Sequence, residues 1–291
     1  MSQIPDPAQY GRPISIENYS NRYVVHPLSN LIVKIAIPLK LSANVVSVLG
    51  LSFGLLAGWF YFGQGNWHFA LLGFACMFTW HVLDGADGRI ARATNSTSAL
   101  GRIIDGVCDH LVFASVYLGF TFYLLELGSS QLIWILAVGA AASHAFQAAA
   151  YEERRQHYHR RSQGLTRAPI AEGLTHIDGK RSALARGYDV VQRLSARKTS
   201  VLDEKLANLH AGNTAALYQE TVNKTVPLVR AWALLNANNR TIMFAICALI
   251  GQPALYFWIE LVILNLVFFG LVLVEDRTEN ALAQQIELPA R

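Results

Sequence analysis

Four aspartates carry the strongest chemical signal in the sequence. Asp84 and Asp87 lie three residues apart near the end of one apolar segment, and Asp105 and Asp109 lie four apart near the start of the next. On helices, these spacings place each pair on a single face. Carboxylates at membrane depth are costly and mark functional sites, and such oxygen ligands suit hard divalent ions. The pattern predicts a metal site formed by four carboxylates on two facing helices.

The residues beside the acids support a ligand site. Gly88, Ala91 and Gly101 lie on or near the acidic faces, where a small residue lets a ligand approach the backbone closely. Arg92 adds a forked donor that suits phosphate. Alternatively, the acids cap helices or pair with neighbouring arginines at the membrane surface. Since caps do not require four acids on two facing helices, we favour the site.

The complete spacing resembles the signature of the CDP-alcohol phosphatidyltransferase family. It reads Asp84-x-x-Asp87-Gly88-x-x-Ala91-Arg92, then eight residues, then Gly101-x-x-x-Asp105-x-x-x-Asp109. All eight specified positions match over 26 residues, and the hydrophobic layout on both sides is similar to that of the family.

The resemblance implies a reaction. A hydroxyl attacks the β-phosphorus of a CDP-alcohol in line, gives a phosphodiester and releases CMP, with Mg²⁺ or Mn²⁺ (two ions) bound by Asp84, Asp87, Asp105 and Asp109. It also implies that Asp109 is the base that deprotonates the hydroxyl, which its position deepest along its helix independently favours. The CDP part of the donor would contact Asp84, Gly88, Ala91, Arg92 and Gly101.

The start of the first span is a further candidate for CDP contact. Many members of the family have a Pro-Asn-x-x-Thr segment there, and Asn44 and Ser47 resemble it. In this sequence Ala43 replaces the proline, and Ser47 the threonine. A helix cap at Ser42 or Asn44 is the simpler account of these polar residues.

The composition predicts an all-α integral membrane protein. Hydrophobic residues make up 53% of the 291 residues and charged residues only 15%. Long stretches lack lysine and arginine, and apolar segments of membrane-spanning length alternate with short turns. We predict a bundle of six transmembrane helices, over residues 42–62, 67–90, 97–126, 131–151, 226–250 and 254–274.

Three segments fall outside these spans. Residues 1–41 are a polar start followed by a segment that either lies in the membrane interface or packs on the bundle. Residues 152–224 form a basic helical insertion, either a solvated hairpin or a contact for anionic headgroups or the acceptor. The domain division is therefore 1–41, a membrane domain over 42–275, and a tail over 276–291.

An acceptor pocket could use several cationic or polar side chains outside the motif. Candidates from the sequence are Arg154, Arg155, Arg240 and Asn239, with Arg160 and Arg161 nearby. The arginines are equally expected as anchors on the cytoplasmic side of the membrane. His81, one turn before Asp84, could position that acid by a hydrogen bond, although an ordinary buried histidine is the more frequent case.

Charge placement predicts the orientation. The loops after spans one, three and five contain no lysine or arginine, so both termini and the acidic motif should be cytoplasmic, in a bacterial inner membrane. The positive charge is explained by this orientation, and we expect no nucleic-acid partner. Members of the family are often dimeric, which implies a homodimer among membrane lipids.

Two questions of function stay open. The donor is either CDP-diacylglycerol with a small polar acceptor, which we slightly favour, or CDP-choline or CDP-ethanolamine with a lipid alcohol such as diacylglycerol. An ion-coupled transporter is a remote alternative, which predicts acids near the bilayer midplane and inverted repeats.

Overall fold

The computed structural model describes residues 14–97, 99–164, 176–177, 180–181, 200–211 and 215–286, and these residues are almost entirely helical. Short helical turns at Ile14–Ile16 and Asn21–Val25 precede the first helices. The longer helices of the first part are α1 (His26–Ala36), α2 (Ala43–Phe62), α3 (Trp67–Ala93), α4 (Ala99–Glu126) and α5 (Ile133–Ser162).

The remaining elements are shorter, apart from the last helix. Two strands of two residues each, β1 (His176–Ile177) and β2 (Lys180–Arg181), form an antiparallel pair. The helices that follow are α6 (Val201–Ala211), α7 (Ala215–Lys224), α8 (Val226–Trp232), α9 (Ala237–Leu249), α10 (Pro253–Trp258) and α11 (Asn265–Gln285). A 3₁₀ turn, Ala233–Leu235, follows α8, and a π-helical turn, Ile259–Leu264, joins α10 to α11.

Five helical stretches are long and apolar enough to cross a membrane, which is the pattern of a multi-pass membrane protein. They are Ala43–Phe62, Trp67–Ala93, Ile104–Glu126, Ile133–Ser162 and Pro253–Gln285. The first three confirm predicted spans closely. The fourth and last extend well beyond their predicted ends, because neither continuation contains a glycine or proline to stop the helix.

The predicted fifth span, 226–250, is wrong as a single helix. The chain leaves the helical conformation at Asn236, which is extended with ψ 163°, and α9 starts again at the next residue. With 13 residues, α9 is about 20 Å long, short of the roughly 30 Å hydrocarbon core. The prediction of six spanning helices is therefore not met by the described residues.

The contacts divide the chain into two units. The first contains 18–145 and 237–263, and the second contains 146–236 and 264–286 together with residues 14–17. Residues 1–13, 98, 165–175, 178–179, 182–199, 212–214 and 287–291 lie outside the described residues, and they include parts of the predicted N-terminal segment, insertion and tail.

The first unit depends on close approach between α2 and α4. A Cβ added at Gly119 would lie 2.2 Å from the Gly58 carbonyl oxygen, and one added at Gly54 would lie 2.1 Å from a Val112 methyl. The Ser115 hydroxyl donates to the Gly54 carbonyl across this interface at 2.9 Å. Gly50, Gly54 and Gly58 recur at four-residue intervals, the small-residue spacing that lets membrane helices touch through their backbones.

The N-terminal helix α1 packs on α3 within the same unit. The Ser29 hydroxyl donates to the Val82 carbonyl at 2.8 Å, and a Cβ added at Gly85 would lie 2.6 Å from that hydroxyl oxygen. The other face of α1 exposes Leu28, Leu31 and Ile35. Packing on the bundle is therefore confirmed, and a position in the membrane interface stays a prediction.

Ion pairs hold the second unit together. The Arg161 guanidinium donates to Asp203 from Nε (2.9 Å) and Nη2 (2.7 Å) and to Glu279 from Nη1 (2.8 Å). These contacts join α5 to α6 and α11. His157 Nε2 lies 3.0 Å from the same Asp203 carboxylate. The continuation of α5 to Ser162 is thus fixed by buried charges that the polar composition alone did not reveal.

Replacement of Gly119 by alanine tests the α2–α4 interface. Because the added methyl would overlap the Gly58 carbonyl, Gly119→Ala should lower the free energy of unfolding by about 1–3 kcal/mol. Thermal unfolding in detergent measures this. Gly270→Ala is the control, since a Cβ there meets nothing within 4 Å. Equal melting temperatures for the two variants would contradict the close contact.

Replacement of Asp203 by asparagine tests the ion pairs of the second unit. Burial alone would raise the pKa of Asp203, but the His157 hydrogen bond and the positive charges of Arg161 and His157 hold that pKa well below its usual value. A lowered carboxyl pKa stabilises the fold above the unfolded-state value of about 3.9, and this stabilisation is lost as the pH falls further.

Asp203→Asn should therefore cost about 3 kcal/mol at pH 7, and the difference from the unmodified protein should shrink below about pH 4. Chemical denaturation at a series of pH values measures both effects. Glu220→Gln, at an exposed pair with Lys224, should leave the free energy of unfolding essentially unchanged. A pH-independent difference for Asp203→Asn would show that charge is not the cause.

Candidate metal centre

The four predicted carboxylates line one cavity in the first unit. Asp84 and Asp87 reach it from α3, and Asp105 and Asp109 from α4. One ligand oxygen from each of Asp84, Asp105 and Asp109 lies within 4.8 Å of the other two. These three side chains are half-buried, whereas Asp87 is buried. The structure thus brings together the acids that the sequence places on two separate helices.

Helix α2 connects the two acid-bearing helices, because it packs extensively against both α3 and α4. Its Ser47 hydroxyl donates to Asp87 Oδ2 at 2.5 Å, and the same carboxylate accepts from the Gly88 amide through Oδ1. Ser47 and Gly50 line the cavity with the acids. The side chain of Asp87 is therefore oriented by a residue that resembles part of the family's entry segment.

The donor set fits a divalent cation. Three carboxylate oxygens within 4.8 Å of one another repel unless positive charge lies between them, and all-oxygen ligands are what Mg²⁺ and Mn²⁺ prefer. Asp84, Asp105 and Asp109 are positioned to share one ion. Asp87 borders the same cavity, where it could complete that set or bind a second ion.

The predicted nucleotide contacts lie beside the acids along α3 and α4. Gly88 is half-buried and follows Asp87 directly, and a Cβ added there would lie 3.3 Å from Arg92 Nη1. The Arg92 guanidinium therefore lies over Gly88 and is exposed. Ala91 and Gly101 are half-buried, Gly101 being one turn before Asp105.

The start of α2, which resembles the family's Pro-Asn-x-x-Thr segment, has one residue in the cavity and others outside it. Ser47 lines the cavity, whereas Asn44 is exposed and is not among the lining residues. The cap of α2 is Ser42, whose side chain accepts from the Val45 amide at 3.3 Å. The simpler reading of this segment as a helix cap is confirmed for Ser42.

Two acceptor candidates lie at the start of α9. Arg240 has no exposed surface, and its Nε and Nη2 each lie 3.2 Å from a carboxylate oxygen of Glu260. Asn239, the residue before it, is half-buried. The complete burial of Arg240 in an ion pair favours a role in holding helices together over contact with a substrate.

The other acceptor candidates belong to the second unit. Arg154 donates to Glu275 at 3.2 Å, and its guanidinium lies 4.2 Å from the centroid of the Trp232 ring. Arg155 is paired with Glu152 one turn away. Both arginines thus have partners within that unit, and contact with an acceptor stays a prediction.

Sequence reasoning missed several residues of the site. Trp80 and Cys108 line the cavity and are nearly fully buried. Trp80 lies four residues before Asp84, and Cys108 lies three residues after Asp105, so helical periodicity could have identified them. The glycines of α2 were also missed, although their four-residue spacing is visible in the sequence.

Comparison with known proteins found a family model that matches the part of the chain with the acidic motif. Residues 40–171 match the family model described as CDP-alcohol phosphatidyltransferase. These residues are a CDP-alcohol phosphatidyltransferase domain. The match contains the four aspartates, Ser47 and the helices α2, α3 and α4 that carry them, so the family resemblance predicted from the motif is confirmed.

Two curated relatives come from the plant Arabidopsis thaliana. Choline/ethanolaminephosphotransferase 2 is 37% identical over 105 residues, which cover 32% of this chain and 26% of the relative. Choline/ethanolaminephosphotransferase 1 is 31% identical over 144 residues, which cover 44% of this chain and 36% of the relative. The chain thus spans about a quarter to a third of the relatives it matches.

These relatives revise two expectations. Both relatives are named for choline and ethanolamine, the kind of donor that the sequence alone placed second to CDP-diacylglycerol. Their plant origin gives no support to the expectation of a bacterial inner membrane.

Replacement of Ser47 tests the contact that orients Asp87. Ser47→Ala removes the hydroxyl that donates to this carboxylate, and we expect about a tenfold loss of Mn²⁺ affinity. Electron paramagnetic resonance of free Mn²⁺ in a titration measures the affinity. Ser52→Ala is the matched control, because Ser52 lies on the same helix, is exposed and donates to the Val48 carbonyl. Equal affinities for the two variants would contradict the role of Ser47.

Proposed function

We propose that the protein is a membrane phosphotransferase that transfers a phosphoalcohol group from a CDP-alcohol to a hydroxyl acceptor and releases CMP. The observation that carries the proposal is the convergence of Asp84, Asp105 and Asp109 within 4.8 Å inside a CDP-alcohol phosphatidyltransferase domain. Several carboxylates close together can hold the cations that a diphosphate needs.

The donor in this proposal is CDP-choline or CDP-ethanolamine, and the acceptor is a lipid alcohol such as diacylglycerol. Support comes from the two relatives, which are named as choline/ethanolaminephosphotransferases. A site between helices of a membrane protein suits this pair, because the cytidine nucleotide is water-soluble and the acceptor is held by lipid.

We assign a role to each residue of the cavity. Asp84, Asp87, Asp105 and one oxygen of Asp109 would hold Mg²⁺ or Mn²⁺, as one or two ions, and a bound ion would neutralise charge on the diphosphate. Asp109 would accept the proton of the attacking hydroxyl, and the hydroxyl oxygen then forms its bond to the β-phosphorus as the bond to the CMP oxygen breaks.

The nucleotide would lie along the exposed end of the acidic helices. Gly88, Ala91 and Gly101 leave room for it beside the backbone, and the Arg92 guanidinium supplies a forked donor for phosphate. Ser47 would orient Asp87, and Asn44 would contact the nucleotide from the start of α2. Arg154, Arg155, Arg240 and Asn239 stay weaker candidates for acceptor contact.

The setting in the membrane is also part of the proposal. By the positive-inside rule, the acidic motif and both termini would lie in the cytoplasm, and the family resemblance favours a homodimer. The division into 1–41, 42–275 and 276–291, with a basic insertion at 152–224, stays a prediction.

Release of CMP from defined substrates tests the reaction and the donor together. The purified chain is incubated with Mg²⁺ and with CDP-choline, CDP-ethanolamine or CDP-diacylglycerol, each against diacylglycerol and a panel of small polar alcohols. We expect CMP only when CDP-choline or CDP-ethanolamine meets the lipid alcohol. If CMP were released only with CDP-diacylglycerol as donor, the assignment would change to a CDP-diacylglycerol-dependent transferase. If no pair released CMP, the proposed enzymatic activity would be contradicted.

Asp109→Asn separates the base from the metal ligands in the same assay. The amide cannot accept the proton but keeps an oxygen at the ion, so CMP release should fall by at least about a hundredfold while Mn²⁺ binding stays largely intact. Near-normal turnover by this variant would show that Asp109 is not the base.

A further inference from the structure

Two buried polar residues of α9, Arg240 and Thr241, do not line the cavity. Thr241 is buried, and its hydroxyl oxygen lies 2.8 Å from Nε2 of His81, a buried residue of α3. Helical threonines commonly donate to the carbonyl four residues earlier, as Thr79 and Thr121 do here. The Thr241 hydroxyl instead contacts a side chain of another helix.

The position of His81 gives this contact a consequence for the cavity. His81 precedes Asp84 by three residues on α3, so the two side chains project from the same face of the helix. A hydrogen bond at His81 therefore restrains the rotation of α3 about its axis, one turn before Asp84 in the sequence. A small rotation would carry the Asp84 carboxylate away from Asp105 and Asp109.

The neighbouring residue of α9, Arg240, makes a second set of buried contacts. Arg240 and Glu260 both have no exposed surface and form a two-contact ion pair, with the Tyr256 hydroxyl donating to Glu260 Oε2 at 2.9 Å. The Tyr256 ring packs edge-on against Tyr117 of α4, with centroids 5.8 Å apart. Buried charges that are paired and hydrogen-bonded resist displacement, because separating them is costly in an apolar environment.

These contacts form a brace from one acid-bearing helix to the other. It runs from His81 of α3 through Thr241 and Arg240 of α9 to Glu260 and Tyr256, and it ends at Tyr117, eight residues after Asp109 on α4. We infer that Thr241 is a positioning residue for the metal centre, which holds Asp84 through His81 at the separation from Asp105 and Asp109 that a divalent cation needs. The inference rests on the metal-binding role of these acids in the proposed function.

Direct Mn²⁺ binding tests the inference without reference to turnover. The full chain is titrated with Mn²⁺ alone, and free Mn²⁺ is followed by electron paramagnetic resonance. Thr241→Val keeps the shape and removes the hydroxyl, so we expect the dissociation constant to rise about three- to tenfold, less than for loss of a group that contacts a metal ligand directly. Thr241→Ser keeps the hydroxyl and should bind within twofold of the unmodified protein.

Thr121→Val is the matched control, because Thr121 is equally buried and its hydroxyl donates to the Tyr117 carbonyl of its own helix. It should leave Mn²⁺ affinity unchanged. Thermal unfolding of every variant separates positioning from stability. A Thr241→Val protein that melts earlier but binds Mn²⁺ as tightly as Thr121→Val would overturn the inference, since the contact would then be merely structural.

His81→Phe provides a second route if Thr241→Val does not fold. The Thr241 hydroxyl can then turn to its own helix, and the same three- to tenfold weakening is expected; unchanged affinity would overturn the inference. Because both changes remove the same contact, the double variant should bind Mn²⁺ no more weakly than either single variant.

If the unmodified chain bound no Mn²⁺, both this inference and the proposed metal site would be contradicted. If it bound Mn²⁺ and the variants bound it equally tightly, only this inference would be contradicted.

Discussion

Repulsion between carboxylates held close together is the constraint on which the rest of the structure depends. With oxygens of Asp84, Asp105 and Asp109 within 4.8 Å, each pair of charges repels by on the order of 3 kcal/mol in a protein environment. Such a cluster is stable where packing holds the helices together and where positive charge, from bound cations or from protons, offsets the carboxylate charge. Gly54 and Gly58 of α2 meet the first condition, because they let α4 approach to backbone contact, while Gly50 one turn earlier faces Leu83 and Trp80 of α3. Binding of a metal ion at these acids, as proposed, would therefore depend on how α2 packs against α3 and α4.

The acidic site is the part of the molecule that the sequence reveals best. Helical spacing predicts that Asp84 and Asp87 share a face, as do Asp105 and Asp109, and the hydrophobic segments around them predict two spans. What the spacing does not show is how the two pairs meet. The two pairs meet because α3 and α4 both pack on α2. In the sequence, only the four-residue spacing of Gly50, Gly54 and Gly58 indicates this packing.

The features that the sequence did not predict share a physical origin. A hydropathy pattern predicts a fifth span over residues 226–250, but Asn236 is extended and interrupts the helix. Arg240 stays a weaker candidate for acceptor contact, and its burial against Glu260, which lies inside the last apolar segment, could not be foreseen from the sequence. Long-range pairs of this kind cannot be predicted from local spacing, because twenty residues and a turn separate the partners. The same holds for Arg161, whose partners Asp203 and Glu279 come from two other helices.

The location of a bound cation tests the central claim most directly. Crystals or frozen particles of the protein in Mn²⁺ would give a metal peak, identified in crystals by its anomalous scattering. The account predicts this peak between α3 and α4, at about 2.2 Å from carboxylate oxygens of Asp84, Asp105 and Asp109. A peak bound elsewhere, or these three side chains turned away from one another in the presence of saturating Mn²⁺, would contradict it.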